Sequence, residues 1–214
     1  MSITNGYATL AQLQRRLGMT GSTDSDLLEE AIQSASREID KFCGRRFYAD
    51  TSATARVYPV RQATVGIRNH CLAVVDDFYT TTGLVIKTDT GADGTYATTW
   101  ASTDYELLPL NGVVDGESGW PYWQIRAVNA QWFPYWADYT PAPLQVTAKW
   151  GWAAVPDPVY QACLIIAQAN YKLKDAAFGS VGIADLGVVT VTQVPAAAKK
   201  LAPYRAAAAA VMVA

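Results

Sequence analysis

The sequence predicts an α+β protein in which a helical domain is interrupted by an antiparallel β domain. Apolar residues recur at helical spacing towards both ends of the chain. The middle is instead rich in Thr, Val, Tyr and Trp and is broken by Gly, Pro and Asp turns. Three amphipathic helices bury their apolar faces only if the last packs against the first two, so we expect the two helical regions to form one domain.

The composition is that of a packed globular protein. The 214 residues are 50% hydrophobic and 17% charged, which argues against disorder. A net charge of −2 argues against a strongly basic nucleic-acid-binding protein. The longest apolar run, Ala206 to Ala214, is far shorter than the about 20 residues of a membrane-spanning helix. Three Cys without a CxxC motif are typical of folding in a reducing compartment, and we expect a soluble protein without a membrane partner.

Two helices are predicted in the first 46 residues. Thr9 and Gln12 form a capping-box pattern ahead of a short helix. A longer helix begins at Asp24 or Ser25 and ends at Gly44. Its apolar positions follow helical spacing and are Leu28, Ile32, Ala35, Ile39 and Phe42.

Six short strands are predicted in the middle of the chain. They are residues 53–60, 83–89, 95–100, 105–110, 123–128 and 143–150. Asp93-Gly94 is a hairpin signal between the second and third strands. Strands that follow one another without helices between them favour an antiparallel sandwich or barrel.

A third helix is predicted after Pro156, with Asp157 as its N-cap and Pro158 at its first position. Its apolar stripe is Val159, Ala162, Ile166, Ala169 and Leu173. Beyond Gly179 the sequence gives little local reason to fold, and we expect an extended run over 187–195 before an Ala-rich end.

We therefore predict three parts. They are a discontinuous helical domain of residues 1–46 and 155–178, an inserted β domain of residues 47–154 and an extended C-terminal arm of residues 179–214. Negative charge is concentrated in the middle, where residues 49–154 carry six basic and ten acidic side chains. The last twenty residues carry three basic side chains and no acidic one. An acidic body with a mildly basic arm favours docking onto another protein over binding nucleic acid.

No constellation typical of catalysis or metal binding is present. The single His, His70, is next to Cys71, but adjacent side chains on an extended chain point to opposite faces. His70 and the scattered Cys lack a zinc spacing, and residues 89–94 lack the Glu of a calcium loop. A phosphate-binding loop motif is also missing. We therefore expect no enzyme, no cofactor and no metal.

Aromatic residues cluster between residues 120 and 152. The members of most interest for function are Trp120, Trp123, Trp132 and Trp136. The core of the β domain accounts for such a cluster. A protein contact surface is an alternative, because Trp and Tyr dominate interface hot spots, and a sugar-stacking platform is another.

The segment 7–48 resembles the head-tail connector, or head-completion adaptor, proteins of long-tailed double-stranded DNA bacteriophages. The residues that carry the resemblance are Tyr7-Ala8-Thr9, Ile39-Asp40 and Cys43-Gly44-Arg45-Arg46-Phe47. Residues 155–179 resemble the third helix of that family, and residues 194–205 resemble its ending. The β insertion is similar to that of larger family members in phages of actinobacteria.

The resemblance implies a structural virion protein, made in the host cytoplasm, that forms a dodecameric ring beneath the portal at the head-tail junction. The ring would extend the DNA channel, through which double-stranded DNA passes without sequence-specific binding, and would contact the next head-completion or tail protein. We expect the two long helices to pack the ring through Leu28, Ile32, Ile39, Phe42, Ile166 and Leu173. We expect the arm to contact the portal, in part by adding a strand to a sheet edge, through Val188, Val189, Val191, Val194, Lys199, Lys200, Tyr204 and Arg205.

An alternative of a different class is a carbohydrate- or host-surface-binding module. It would use the Trp and Tyr side chains of the β domain, which offer flat rings for stacking.

Overall fold

The structure is a computed structural model that describes residues 3–21, 24–60, 72–134, 142–173 and 189–206. The chain divides into two compact units. Residues 1–48 and 154–214 form the helical unit, and residues 49–153 form the β unit. The described residues contain four α-helices and antiparallel β-sheet, so the predicted α+β class is confirmed with one helix more than expected.

The helices are α1 (Leu10–Leu17), α2 (Ser25–Cys43), α3 (Asp157–Leu173) and α4 (Pro195–Leu201). The predicted capping box is present at α1, where the Gln12 N–H donates to Thr9 Oγ1 and the Gln12 side chain accepts from the Thr9 N–H. Gly44 ends α2 in the left-handed region, with φ of 64°. Helix α3 begins one residue earlier than predicted, because the Tyr160 N–H already donates to the carbonyl of Pro156.

The core of the helical unit is built where α2 meets α3 and where α4 meets α3. Most residues of the apolar stripes predicted for α2 and α3 are buried here, whereas Phe42 and Ala169 are half-buried and Leu173 is exposed. The fully buried side chains of this core include Leu13, Leu28, Ile32, Ala35, Ile39, Val159, Ala162, Ile166 and Leu201. Burial of these apolar faces is the main stabilising contribution in this unit.

Tyr7 ties the N-terminal segment to α2 and to the chain that follows it. Its hydroxyl donates to the Asp40 carboxylate and accepts from the Phe47 N–H at 2.9 Å. Its own N–H donates to Ser36 Oγ at 3.1 Å. Burial raises the pKa of the Tyr7 phenol well above its ordinary value, so the hydroxyl stays protonated and remains a donor. Burial also raises the pKa of Asp40, against the opposing effect of Arg37.

The C-terminal segment packs onto the helical unit. Residues 191–193 form a 3₁₀ turn ahead of α4, so the extended conformation expected over 187–195 is corrected for the part that the structure describes. Val191 and Tyr204 are buried, and the Tyr204 ring lies edge-on to Phe47 at 6.0 Å. The Ala206 N–H donates to the carbonyl of Cys43 at 2.7 Å. Residues 189–206 therefore have tertiary contacts that their local sequence does not reveal.

The strands of the β unit are β1 (Thr54–Tyr58), β2 (Leu72–Thr88), β3 (Thr98–Thr99), β4 (Tyr105–Leu108), β5 (Val113–Val114), β6 (Glu117–Ser118), β7 (Tyr122–Ala127) and β8 (Leu144–Trp150). Six of them form one sheet in the order β1-β8-β2-β7-β4, with β3 paired to β2. The pair β5 and β6 forms a separate hairpin. All these pairs are antiparallel, as predicted.

Strand β2 is much longer than the predicted strand 83–89, because its first half pairs with β7 and its second half with β8. Phe78 lies opposite both Tyr122 and Trp150 and marks the change of partner. Irregular pairing on either side of Phe78 allows the strand to bend there.

The core of the β unit is built on the alternation of β8. Its inward residues are Leu144, Val146, Ala148 and Trp150, and all four are fully buried. The Trp150 ring lies edge-on to the Phe78 ring, with 6.1 Å between the two centroids. The Arg56 guanidinium lies over the Trp150 ring, 4.5 Å from its centroid. Asp89 is also buried, and its carboxylate accepts the N–H groups of Gly91 and Gly94. These bonds account for the segment 89–94 as a turn.

Replacing Leu201 by Ala should destabilise the helical unit by about 2–4 kcal/mol, because it leaves a cavity where a fully buried side chain packs. All seven Trp lie between residues 100 and 152, so Trp fluorescence reports on the β unit and far-UV circular dichroism reports mainly on the helices. Urea titration followed by circular dichroism measures the effect. Lys200→Ala, at an exposed neighbour on α4, is the matched control. An unchanged helical transition in Leu201→Ala would mean that the C-terminal segment does not pack as described.

Replacing Tyr7 by Phe should cost about 1–3 kcal/mol of stability, because it leaves the Asp40 carboxylate and the Phe47 N–H with one partner fewer in a buried setting. The same urea titration measures this change. Tyr160→Phe is the control, since the Tyr160 hydroxyl makes no hydrogen bond to any described residue. Equal transitions for the two variants would contradict the role assigned to Tyr7.

Candidate functional site: assembly surfaces

The residues predicted to pack the ring fall into two groups. Four are buried in the core of the chain itself and are Leu28, Ile32, Ile39 and Ile166. A side chain that is already buried within its own subunit offers no surface to a neighbour. These four residues therefore stabilise the helical unit and do not themselves contact a second subunit. Phe42 is half-buried beneath the Arg205 guanidinium, which lies 5.2 Å from the ring centroid. Leu173, 40% exposed, is the member of the set that offers the most apolar surface.

The residues predicted to contact the portal also divide by burial. Val191 and Tyr204 belong to the core of the helical unit. Val189 is held by a bond from its N–H to Asn170 Oδ1 at 2.8 Å. Val194 is half-buried, and Val188 lies outside the described residues. The apolar members that the structure describes thus help to hold the segment on the helical unit.

The basic members of that set are accessible. Lys199, Lys200 and Arg205 are exposed, and within the described part of the chain none of them forms an ion pair with an acidic side chain. The first two are adjacent on α4, whose last turn they occupy. These cationic side chains are therefore available to a partner.

The aromatic residues of the β unit contact mainly one another. Trp120 lies 6.0 Å from Trp123 and 5.0 Å from Trp152, measured between ring centroids. The Trp152 Nε1–H donates to an Asp77 carboxylate oxygen at 3.1 Å. Such mutual packing matches the expectation of a β core, since the ring faces already have partners. Trp132 is different, because 69% of its surface is exposed. Trp136 lies outside the described residues.

Two surfaces of the β unit were not among the functional residues predicted from the sequence. One is the solvent side of the sheet, where Val57 and Val85 are exposed. The other is the hairpin of β5 and β6, whose turn is Asp115-Gly116. An Asp-Gly pair between Val and polar residues is a hairpin signal and was available in the sequence. Exposure of the two Val side chains depends on the register of three strands, for which the sequence alone carries no signal.

Groups suited to chemistry are sparse in the described residues. They hold no group of three or more His, Cys, Asp or Glu side chains placed to bind a metal ion. Burial raises the pKa of Cys43 to about 12 and that of Cys163 to about 11, so both thiols stay protonated near neutral pH and are weak nucleophiles. His70 and Cys71 lie outside the described residues. Among the helices that are described, none is both long and apolar enough to span a bilayer.

Comparison with known families gives one match. Residues 7–82 match the phage gp6-like head-tail connector protein family. The matched region includes the N-terminal run that carries the resemblance and continues through β1 into β2. The later segments 155–179 and 194–205 lie outside it. No curated protein matches the sequence.

Two solved structures share the fold over nearly the whole chain. One is a chain in the neck of an empty gene transfer agent (GTA) particle, computed with C6 symmetry, with a TM-score of 0.52 and 15% sequence identity. The other is a chain in the virion of a native GTA particle, with a TM-score of 0.51 and 15% identity. Each alignment covers 96% of this chain and 92% of the other.

The family match begins at Tyr7, the first residue of the predicted resemblance, and reaches well into the β unit. The alignments with the two solved structures span both units of this chain. The predicted resemblance is therefore confirmed for the part of the chain that carries it: residues 7–82 have the signature of the phage gp6-like head-tail connector family.

Proposed function

We propose that this connector protein forms a ring at the head-tail junction, joins the portal to the next head-completion or tail protein and extends the DNA channel. The family match over residues 7–82 is the observation that carries the proposal. It is supported by a fold shared with a neck protein of a gene transfer agent over 96% of the chain. A net charge of −2 also suits a channel wall, because a strongly basic wall would bind the phosphates of passing DNA.

The surface of the chain favours assembly with other proteins. Several large apolar side chains are exposed, and they are Leu27, Val57, Leu72, Val74, Val85, Leu110, Val113, Trp132 and Leu173. Exposed apolar patches mark sites of protein–protein contact when they recur on one surface. Most of these residues belong to the β unit, so we assign a large share of the assembly contacts to that unit.

We assign twelve subunits to the ring, as the family resemblance implies. The neck particle of the gene transfer agent was computed with C6 symmetry. A ring of twelve identical subunits obeys a sixfold axis, so the two are compatible.

The portal contact is assigned to the exposed basic side chains of the C-terminal segment. Val191 and Tyr204 are buried and hold this segment on the helical unit, whereas Lys199 and Lys200 extend from α4 into solvent. Opposite charge on the portal would guide the two proteins together and fix their orientation. Removal of residues 180–214 is a poor test of this contact, because it also removes buried core residues such as Leu201.

The variant Lys199→Glu/Lys200→Glu should weaken binding to the cognate portal by about tenfold or more, since each reversed charge turns an attraction into a repulsion. Biolayer interferometry with immobilised portal measures the dissociation constant, and binding by the unmodified chain should weaken as salt is raised.

The control variant is Arg15→Glu/Lys172→Glu, which makes the same charge change at exposed positions of α1 and α3. It should bind the portal like the unmodified chain. If both double variants bind the portal equally weakly, the loss of affinity results from the change in net charge and the assigned contact is wrong. If neither variant binds more weakly than the unmodified chain, the assigned portal contact is also contradicted.

A further inference from the structure

The solvent side of the sheet carries exposed apolar residues next to half-exposed polar and charged ones. We call it the outer sheet face and define it by residues of three adjacent strands, which are Ala55, Val57, Val85, Lys87, Gln145, Thr147 and Lys149. The register puts Val57 and Lys87 on either side of Gln145, and Ala55 and Val85 on either side of Thr147. Neighbouring residues of β8, such as Val146, point to the core instead.

The outer sheet face is partly apolar and carries only positive charge. Val57 is 53% exposed, and Val85 is also exposed, although the solvent face of an antiparallel sheet is normally polar. Lys87 and Lys149 are its charged members, and the described residues provide neither with an ion-pair partner. Such a surface fits a partner that combines apolar side chains with carboxylates.

The hairpin of β5 and β6, with the turn that precedes it, has those complementary properties. We call residues 110–118 the acidic hairpin. Leu110 is 54% exposed and Val113 is exposed beside it, whereas Asp115 and Glu117 at the tip are exposed carboxylates without an ion-pair partner in the described chain. Asp115 has φ of 51° and Gly116 φ of 84°, the left-handed conformations of a tight two-residue turn. The turn gives this exposed element a defined backbone conformation.

We propose that the acidic hairpin of one subunit docks on the outer sheet face of a second copy of this chain. Apolar residues would meet Val57 and Val85, while Glu117 and Asp115 would meet the two lysines. The proposal rests on the ring proposed above, because a ring needs two different surfaces on each subunit that fit one another head to tail. Both surfaces belong to the β unit. Among the described residues, Val57, Val85, Asp115 and Glu117 are exposed, and Lys87 and Lys149 are half-exposed.

The test is zero-length carbodiimide cross-linking, which joins a carboxylate to an amine only where the two are in contact. An equal mixture of isotopically light and heavy chains is cross-linked alone at high concentration and again on the cognate portal. The proposal predicts mixed light–heavy peptides that join Asp115 or Glu117 to Lys87 or Lys149.

Charge-reversal variants test whether the contact contributes to assembly. The hairpin variant Asp115→Asn/Glu117→Lys keeps a residue that tolerates the left-handed turn, and the face variant is Lys87→Glu/Lys149→Glu. Each should weaken association between copies by about tenfold, and the combination of both should restore most of it. Glu30→Lys, at an exposed position of α2, should have no effect.

The outcomes separate this contact from the function on which it rests. Suppose that the chain binds the portal, that no mixed cross-links form and that both variants assemble normally. This result would overturn the proposed contact but would not contradict the connector function. Mixed cross-links together with rescue by the combined variant would support the contact, even if the chain failed to bind the portal and the proposed function fell. Trp fluorescence of each variant verifies that the β unit is folded.

Discussion

The buried face of helix α2 is the feature on which the helical unit depends. Helix α3 covers that face from a point more than 100 residues later in the chain, and Tyr7 closes its C-terminal half through Ser36, Asp40 and Phe47. The C-terminal segment completes the same region, since Tyr204 packs against Phe47 and Ala206 bonds to Cys43. Three distant parts of the sequence thus converge on one helix, and this allows the β unit to be inserted between α2 and α3.

Most residues of the apolar stripes of α2 and α3 are buried inside the helical unit, so assembly must use side chains that remain on the surface. Among the described residues, the surfaces available to partners include the exposed lysines of α4, Leu173 and the exposed residues of the β unit. Separate surfaces on two units leave room for contacts with partners without exposing the core of either unit. The buried apolar residues of the C-terminal segment, such as Val191 and Leu201, stabilise the helical unit, whereas the charged residues Lys199, Lys200 and Arg205 are exposed.

Much of the fold could be predicted from the sequence, because its signals are local. The capping box at Thr9, the Gly44 end of α2 and the alternation of β8 each lie within a few residues. The first half of β2 was missed because its partners on β7 lie about fifty residues away, and the folded C-terminal segment was missed because its support comes from Phe47 and Cys43. The site residues were harder to predict for a related reason. The type of a residue such as Val191 or Leu28 does not show whether its side chain is buried within the subunit or exposed for contact with a partner.

The most direct test of the central claim is the mass of the full chain by light scattering, measured alone and then mixed with the cognate portal. A chain of 23.1 kDa that builds a ring at the head-tail junction should shift to a ring-sized species, either alone or on the portal. The predicted complex adds the mass of about twelve subunits to that of the portal. A chain that stays monomeric under both conditions and leaves the portal mass unchanged would contradict the connector function proposed for it.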